Sequence, residues 1–312
     1  MNIRRLLKVT SVMVLCMPFA FHSMSQTKVD TTSYIQTLDI KTGKIDTILI
    51  ANGDFEAPNW HPDNYLIMNF RGLMYRLDLA TKALSVINTG SINHLMDDHG
   101  ISRDGKLLAI TDFDSSSHSR ATWKFVIYTV PSAGGEPKKI TLDALSFYHG
   151  WSPDGKTIAY CGGPDFTNLD VYTIPSNGGT PKRLTETEGL DDGPDYSADG
   201  KYIYFHSYRS KHMQIWRMNT DGANPEQMTF DDNSNWFPHP SPDNKWIAYI
   251  AYTSDEKQGH PFGKNVKLRL MDIKTKTIKD ITPVFYGGAG TINSPSWSPD
   301  SRKIAFISYS VK

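Results

Sequence analysis

The sequence predicts an all-β fold, a six-bladed β-propeller with four-stranded blades, and two alternating turn motifs indicate it. The first motif reads Ser-Pro-Asp-Gly or a close variant and precedes a β-rich run. It occurs six times, with its aspartate at Asp63, Asp104, Asp154, Asp199, Asp243 and Asp300. The second is a polar hairpin that also occurs six times, at residues 39–44, 78–83, 131–135, 175–179, 219–223 and 272–277. Units of roughly 45 residues with about four strands each are typical of propellers.

The order of the two motifs predicts how the ring closes. The chain opens on the hairpin motif and ends on the Ser-Pro-Asp-Gly type. We therefore expect the N-terminal hairpin to supply the outer strands of the blade whose inner strands come last.

The turn chemistry supports this reading of the repeats. Serine suits the first position of a type I turn, proline presets φ at the second, and glycine ends the turn. The runs that follow are rich in β-branched and aromatic residues, as strands are; they include residues 157–160, 202–205 and 246–249.

The first 25 residues have the pattern of a secretory signal. Basic residues precede a short apolar stretch at 9–21, and Ser23 and Ser25 are small residues suited to cleavage before Gln26. We expect a signal peptide at 1–25, a short segment at 26–32 and one propeller domain at 33–312, in the periplasm or outside the cell. Leu15 stands before Cys16 where a lipid anchor would need a small residue, so lipidation is not favoured.

Charge and cysteine content exclude several classes of protein. The 312 residues include 33 Lys and Arg and 33 Asp and Glu, and cleavage would leave a net charge of about −3. No basic stripe suits nucleic acid, and no segment suits membrane insertion of the mature chain. Cys161 would be the only cysteine left, so we expect no intrachain disulfide and a small buried hydrophobic side chain there.

The connections between blades carry most of the chemistry. If strands alternate in direction, the segments before each innermost strand and those after each second strand emerge at one end of the ring, and the hairpin turns at the other. Irregular loops around a channel mouth are where propellers meet ligands. We therefore look for a site among the polar segments 97–100, 147–150, 191–194, 233–239 and 290–295, with the long connections 112–120 and 253–265.

At this end, one repeat position that is usually proline is histidine in two repeats. Five residues before the turn aspartate, four repeats have proline, whereas two have His99 and His149. Two interpretations stay open. The imidazoles hydrogen-bond neighbouring backbone or aspartate, or they bring a titratable group or metal ligand to the channel mouth, His99 with Asp97 and Asp98 nearby.

Candidate site residues follow from these positions. The catalytic candidates are His99, His149, His239 and Asp98. The ligand-binding candidates are Asp97, Asp191, Asp192, Arg209, Asn235, Trp236, His260, Lys264 and Asn293.

Several of these residues have alternative readings. Asp191 and Asp192 could form an acidic group, a calcium-ligand pair or solvated loop charges, and loop-borne Trp236 suits stacking on a sugar ring. His206 aligns with mostly apolar positions and is expected to be a packed core histidine, whereas His61 is expected to be only a turn residue. The tryptophans at 60, 151 and 297 share one repeat position and are expected to pack between blades.

The repeats over residues 33–310 resemble the TolB-type propeller repeat, which also occurs in prolyl-oligopeptidase-like peptidases and oligogalacturonate lyases. The resemblance implies the fold and says little about function. We expect neither the additional N-terminal domain of TolB nor serine peptidase chemistry, since no Gly-x-Ser-x-Gly motif occurs.

The resemblance to the lyases is weaker and concerns one segment. In that family, histidines on neighbouring blades hold a divalent metal that binds the uronate carboxylate. Residues 238–243 resemble the histidine-bearing segment of that family, so only His239 is carried over. One blade fewer is counted here and no His-x-His pair is present.

The leading function is an exported TolB-like binding module that recognises a saccharide or an envelope protein at its loop face. The alternative is a lyase or glycosidase with His/Asp chemistry at the channel mouth, and Lys264 or Arg209 as cationic partners. A divalent metal, Ca²⁺ or Mn²⁺, is considered for that alternative, and no other cofactor is expected. A propeller without a small-molecule site is the third class.

Overall fold

The computed structural model describes residues 30–114, 123–142 and 145–312, and these ranges contain strands and turns without any helix. The predicted signal sequence, Cys16 and most of the 112–120 connection lie outside the described residues. The all-β propeller arrangement that the repeats predict is confirmed.

The described strands form five hydrogen-bonded sheets. The first sheet has the order β2-β1-β24, with β1 (Thr31–Asp39), β2 (Ile45–Asn52) and β24 (Lys303–Val311). The second contains β3 (Glu56–Trp60), β4 (Tyr65–Phe70), β5 (Leu73–Asp78) and β6 (Leu84–Ile87) in chain order.

The third sheet has eight strands. They are β7 (Leu95–Ile101), β8 (Leu107–Asp114), β9 (Lys124–Pro131), β10 (Lys138–Lys139), β11 (Leu145–Trp151), β12 (Thr157–Asp165), β13 (Asn168–Pro175) and β14 (Lys182–Arg183). Their order is β14-β13-β12-β11-β9-β8-β7, with β10 paired to β9.

Two further sheets follow. The fourth contains β15 (Asp191–Tyr196), β16 (Tyr202–Ser207), β17 (Gln214–Asn219) and β18 (Glu226–Gln227). The fifth contains β19 (Ser234–Pro240), β20 (Trp246–Tyr252), β21 (Lys264–Asp272), β22 (Ile278–Asp280) and β23 (Phe285–Gly287). The expected set of six four-stranded blades thus matches these sheets only in part.

The ends of the described chain meet in the first sheet. β1 pairs antiparallel with β24 through nine residue pairs, from Thr31 opposite Val311 to Asp39 opposite Lys303. Trp297 forms a single bridge to Ile304, on the far side of β24 from β1. Arg302 Nε also donates to Asp39 Oδ2 at 2.8 Å, which joins residues 263 positions apart.

The repeated turns are closed by their own side chains. In five of them the serine Oγ donates to the turn aspartate at 2.6–2.8 Å, in the pairs Ser102–Asp104, Ser152–Asp154, Ser197–Asp199, Ser241–Asp243 and Ser298–Asp300. The fourth turn residue has positive φ even where it is not glycine, as at Asn244 (φ 58°) and Ser301 (φ 59°). These turns form as the sequence predicts, because their hydrogen bonds join residues only a few positions apart.

His61 occupies the serine position of the first turn and also makes contacts outside that turn. Its side chain is buried, its Nε2 lies 2.8 Å from the carbonyl oxygen of Gly105, and its ring stacks on Tyr65 at 4.0 Å between centroids. The expectation that His61 is only a turn residue is therefore corrected, since it also contacts the next repeat.

The three repeat-equivalent tryptophans are buried, as predicted. Trp151 Nε1 donates to the carbonyl oxygen of Gly100 at 3.0 Å, and Trp297 Nε1 donates to that of His239 at 2.8 Å. Each bond reaches the preceding repeat, so these side chains tie neighbouring repeats together as well as filling space between them.

Candidate functional site

Irregularities in the inner strands position the polar side chains. Here the inner strands are β3, β7, β11, β15 and β19, and each has a register shift against its antiparallel neighbour. Ala57 (φ 53°), Gly193 (φ 62°) and Phe237 (φ 53°) adopt the left-handed region at these shifts. Bulges of this kind re-aim side chains and are common beside functional sites.

One group of carboxylates lies at the start of the first two inner strands. Glu56, Asp97 and Asp98 are half-buried. Asn69 Nδ2 donates to Glu56 Oε2 at 2.9 Å, and Asn293 Nδ2 donates to Asp97 Oδ2 at 2.7 Å. We call Glu56, Asp97 and Asp98 the acidic cluster.

Removal from water and mutual repulsion raise the pKa values of the acidic cluster. Burial raises the pKa of Asp97 to about 6, and the charge of Asp192 adds to the increase. Burial also raises the pKa values of Glu56 and Asp98 well above the ordinary range, with the charge of Asp97 as a further cause for both. Carboxylates held close together in this way favour a bound proton or another cation.

A second group is centred on Asp192, which lies between two histidines. Asp192 Oδ1 is 2.8 Å from His149 Nε2, and Asp192 Oδ2 is 3.4 Å from His206 Nε2. All three side chains are buried. Burial by itself would raise the pKa of Asp192, but the two histidines outweigh it and hold that pKa well below the ordinary range.

Cys161 completes a cluster of metal-ligand side chains. Its Sγ lies 3.7 Å from His149 Nε2, and burial raises the pKa of the thiol well above its ordinary value. One ligand atom each from His149, Cys161 and Asp192 lies within 4.8 Å of the other two. We call these three residues the His-Cys-Asp cluster, and by residue type they could hold a metal ion.

His206 is fixed by the bulge in the neighbouring inner strand. The backbone N–H of Phe237 donates to His206 Nδ1 at 3.2 Å. A neutral imidazole that accepts at Nδ1 carries its proton on Nε2. That nitrogen lies 3.4 Å from Asp192 Oδ2 without forming a hydrogen bond to it. Burial lowers the pKa of His206, which keeps the ring neutral.

His260 covers the same region from the long 253–265 connection. Its ring centroid lies 4.9 Å from that of Trp236 and 5.1 Å from that of Phe237. Burial lowers its pKa to about 4, and charges on Asp192, His206 and His149 also act on it. His260 is therefore a neutral neighbour of the His-Cys-Asp cluster at physiological pH.

His99 is separate from these contacts. Its side chain is 1% exposed, and neither ring nitrogen has a hydrogen-bond partner. Burial alone lowers its pKa to about 3. Such a ring stays neutral above about pH 4, which does not suit proton transfer near neutrality.

His239 has a structural environment. Its Nδ1 lies 3.2 Å from Asp195 Oδ2 and its Nε2 lies 2.8 Å from the carbonyl oxygen of Ile292. Both nitrogens are engaged, and the side chain is buried. The structure therefore gives no support to the catalytic or metal-binding role carried over to His239 from the lyase resemblance.

Trp236 and Asn235 are also placed in the interior. Both are 0% exposed, and Trp236 belongs to the largest hydrophobic cluster of the described chain. Asn235 Nδ2 donates to Gln214 Oε1 at 3.3 Å and Asp231 Oδ1 at 3.2 Å. The interpretation of Trp236 as a stacking platform for a sugar ring is corrected, because no ring can reach it.

The expected cationic partners are already paired. Arg209 lies 2.8 Å from Asp191 Oδ2, and Lys264 lies 3.1 Å from Glu256 Oε2. Thr187 Oγ1 also donates to Asp191 Oδ2 at 2.7 Å. Asp191 is thus half of a buried ion pair, whereas its neighbour Asp192 faces the histidines.

Sequence reasoning missed Glu56, Cys161 and His206, although a signal for each was present. Glu56, Asp97 and Asp192 all stand seven residues before a turn aspartate, and this position was not compared. Cys161 and His206 share one repeat position on β12 and β16. A comparison at the first of these positions would have identified Glu56, whereas the second position predicted packed core because most repeats have an apolar residue there.

Comparisons with known proteins agree on the fold. A family model described as the TolB beta propeller domain matches residues 100–287. An uncharacterized protein of Agrobacterium fabrum is 42% identical over 279 residues, which cover 89% of this chain and 92% of that protein.

Solved structures give the same result. A structure described as a "putative TolB" from Agrobacterium tumefaciens is 40% identical with a TM-score of 0.84, covering 90% of this chain and 99% of that one. An oligogalacturonate lyase in complex with manganese has a TM-score of 0.57 at 14% identity, covering 88% and 81%, and shows the fold alone. Within the described ranges, no helix has the length and apolar character needed to cross a membrane.

Proposed function

The chain belongs to the TolB β-propeller family, and we propose that it is an exported binding module that takes a positively charged segment of an envelope protein at the acidic cluster. The observation that carries this proposal is the grouping of Glu56, Asp97 and Asp98, with pKa values raised by burial and by one another. A lysine or arginine side chain placed there would relieve the repulsion and replace bound protons.

The charge of neighbouring groups supports a site of this kind. Partly buried charges of one sign that are grouped together attract ligands of opposite charge. Asp192 adds a fourth carboxylate that acts on Asp97 and Asp98. Asn293 fixes the orientation of Asp97, so part of the cluster is preorganised.

A saccharide partner and the carbohydrate-processing alternative have less support. Trp236 is buried, which removes the proposed aromatic platform. Arg209 and Lys264 are ion-paired, and carboxylates predominate at the acidic cluster, so a uronate would meet repulsion there.

We also infer that the ring has six blades and closes through β1 and β2. The eight-stranded sheet divides where β9 and β11 meet, since they share only the parallel pair Phe125 and Leu145. Counting its halves separately gives six units, and the pairing of β1 with β24 supports closure by the N-terminal hairpin. Export rests on the sequence of residues 1–25.

The test is a titration of the purified mature protein with designed peptides. A Lys-rich peptide should bind, its Gln-substituted counterpart should not, and affinity should fall as salt rises. Asp98→Asn and Glu56→Gln should each weaken binding at least about tenfold, as for loss of a close charge pair. Asp63→Asn, whose side chain is 83% exposed in a hairpin turn, is the control and should have no effect.

Two outcomes would overturn the proposal. One is binding of an acidic peptide or a uronate oligosaccharide in preference to the Lys-rich peptide. The other is peptide binding that Asp98→Asn and Glu56→Gln leave unchanged.

A further inference from the structure

We propose that His149, Cys161 and Asp192 form a site for one transition-metal ion of borderline softness, such as Zn²⁺ or Co²⁺, with three protein ligands and a fourth position open. The metal ligands are not Glu56, Asp97 or Asp98, so this site is tested separately from the peptide-binding role proposed above, although the charge of Asp192 acts on Asp97 and Asp98.

The spacing of Cys161 Sγ and His149 Nε2 suits tetrahedral coordination. With metal bonds of about 2.1 Å to nitrogen and about 2.3 Å to sulfur, tetrahedral geometry separates the two ligands by about 3.6 Å. Cys161 Sγ and His149 Nε2 are 3.7 Å apart. His149 Nε2 and Asp192 Oδ1 are closer, at 2.8 Å, and would have to separate by about half an ångström to reach the spacing of two ligands.

The orientation of His149 is the second observation. Its side chain is 3% exposed, and its Nδ1 has no hydrogen-bond partner. The ring thus directs Nε2 to the thiol and the carboxylate without a hydrogen bond on its other side. The nitrogen aimed at both the thiol and the carboxylate is therefore Nε2, and this is the atom that would bind the metal.

His206 acts as a positioning residue for Asp192 rather than as a ligand. Its Nδ1 accepts the N–H of Phe237, so its Nε2 carries the proton and has no free lone pair for a metal. Nε2 lies 3.4 Å from Asp192 Oδ2 without a hydrogen bond between them, and Asp192 Oδ1 lies 2.8 Å from His149 Nε2. Partners of this kind orient metal-binding carboxylates and tune their affinity.

The preceding repeat can be compared with this site, position by position. His149, Cys161 and Asp192 stand at repeat positions that the preceding repeat fills with His99, Thr111 and Phe147. His99 is as deeply buried as His149, but its two companions supply no thiol and no carboxylate. The metal-ligand chemistry is therefore specific to one pair of repeats.

The donor set also selects the metal. Thiolate and imidazole favour zinc-like ions, whereas calcium requires six to eight oxygen ligands. Of the two ions considered from the sequence, Ca²⁺ does not suit this site, and Mn²⁺ suits it less well than Zn²⁺ or Co²⁺ because it prefers oxygen ligands.

The experiment is a titration of the chelator-treated, purified protein with Co²⁺, followed by absorption spectroscopy and metal analysis. We expect one equivalent to bind, with a thiolate-to-cobalt band in the near ultraviolet and visible bands of tetrahedral intensity. Zn²⁺ should displace the cobalt and abolish both. Cys161→Ser should remove the near-ultraviolet band, and Asp192→Asn and His149→Gln should each weaken binding at least tenfold.

Matched variants make the result decisive. His99→Gln should leave stoichiometry and spectrum unchanged, and His206→Gln should weaken binding while the thiolate band remains. If circular dichroism shows that Cys161→Ser does not fold, Cys161→Thr is used in its place. Threonine is the residue that the preceding repeat has at this position. The absence of stoichiometric cobalt, or a spectrum that a folded Cys161 variant leaves unchanged, would overturn the proposal.

Discussion

The backbone N–H of Phe237 donates to Nδ1 of His206 at 3.2 Å. Phe237 has a φ of 53°, in the left-handed region that bulky residues rarely adopt. The bulge in β19 turns this N–H toward the ring on β16 of the neighbouring sheet. A strained backbone position in one repeat thereby sets the tautomer of a histidine in another, and the Nε2 of that histidine lies 3.4 Å from Asp192 Oδ2.

Gly193 is the point at which this arrangement is most easily disturbed. A Cβ at Gly193 would lie 2.5 Å from the ring of His206. Gly193→Ala should therefore lower the free energy of unfolding by about 2–4 kcal/mol, from backbone strain and steric overlap together. Chemical denaturation measures the loss.

Gly155→Ala is the matched control for that variant. Gly155 has a φ of 69°, close to that of Gly193 at 62°, but a Cβ there meets no atom within 4 Å. Gly155→Ala should lower the free energy of unfolding by about 1 kcal/mol, from backbone strain alone. Equal losses for the two variants would mean that His206 moves aside without cost.

His99 should be dispensable for stability. Both of its ring nitrogens are buried without partners, and an unsatisfied buried polar group costs about 1–3 kcal/mol. His99→Leu should therefore raise the free energy of unfolding by about 1 kcal/mol. His239→Leu, which removes a histidine with both nitrogens engaged, should lower it by about 2–4 kcal/mol in the same assay. A larger loss for His99→Leu than for His239→Leu would contradict this reading.

The acidic cluster should make stability depend on pH. The folded-state pKa of Asp97 is about 6, against about 3.9 in an unfolded chain. The folded state thus binds the proton more tightly. Protonated Asp97 therefore contributes its full stabilisation of the folded state below about pH 4, and this stabilisation is lost as the pH rises through about 6.

Denaturation at a series of pH values measures this effect. The free energy of unfolding of the wild-type protein should decrease between about pH 4 and pH 7. In Asp97→Asn this decrease should be smaller by about 2 kcal/mol. Asp63→Asn, at an exposed turn position, should leave the decrease in place. A wild-type protein whose stability rises over this interval, with no change on Asp97→Asn, would show that the carboxyl is not perturbed as described.

Loss of the N-terminal hairpin should prevent cooperative folding. Without β1 and β2, the nine pairs between β1 and β24 disappear and β24 becomes an unpaired edge. A chain that starts after Asn52 should give a broad, non-cooperative thermal transition, whereas deletion of residues 26–29 alone should keep the sharp one. A sharp transition within about 5 °C of the full-length midpoint would refute ring closure through this hairpin.

The repeated turns, the strand-forming runs and the family were readable from the sequence alone. In the five turns that contain the serine, its Oγ bonds the aspartate and also accepts the N–H of the residue five positions on, as Ser152 does from Thr157 at 2.9 Å. Such bonds close within a few residues, so the local sequence is sufficient to specify them. Repetition of the same local pattern then fixes the architecture.

The composition of the sites was decided only by tertiary structure. His149 was predicted as a candidate, but its partners come from a different strand and a different sheet, and His206 was taken for a packed core residue. Trp236 and His99 stand in equally polar segments, yet both side chains are buried and their ring nitrogens have no hydrogen-bond partner. The side of an inner strand that faces the acidic residues depends on the bulge in that strand. Contacts between side chains of neighbouring repeats join residues far apart in the sequence, so they leave no local pattern in it.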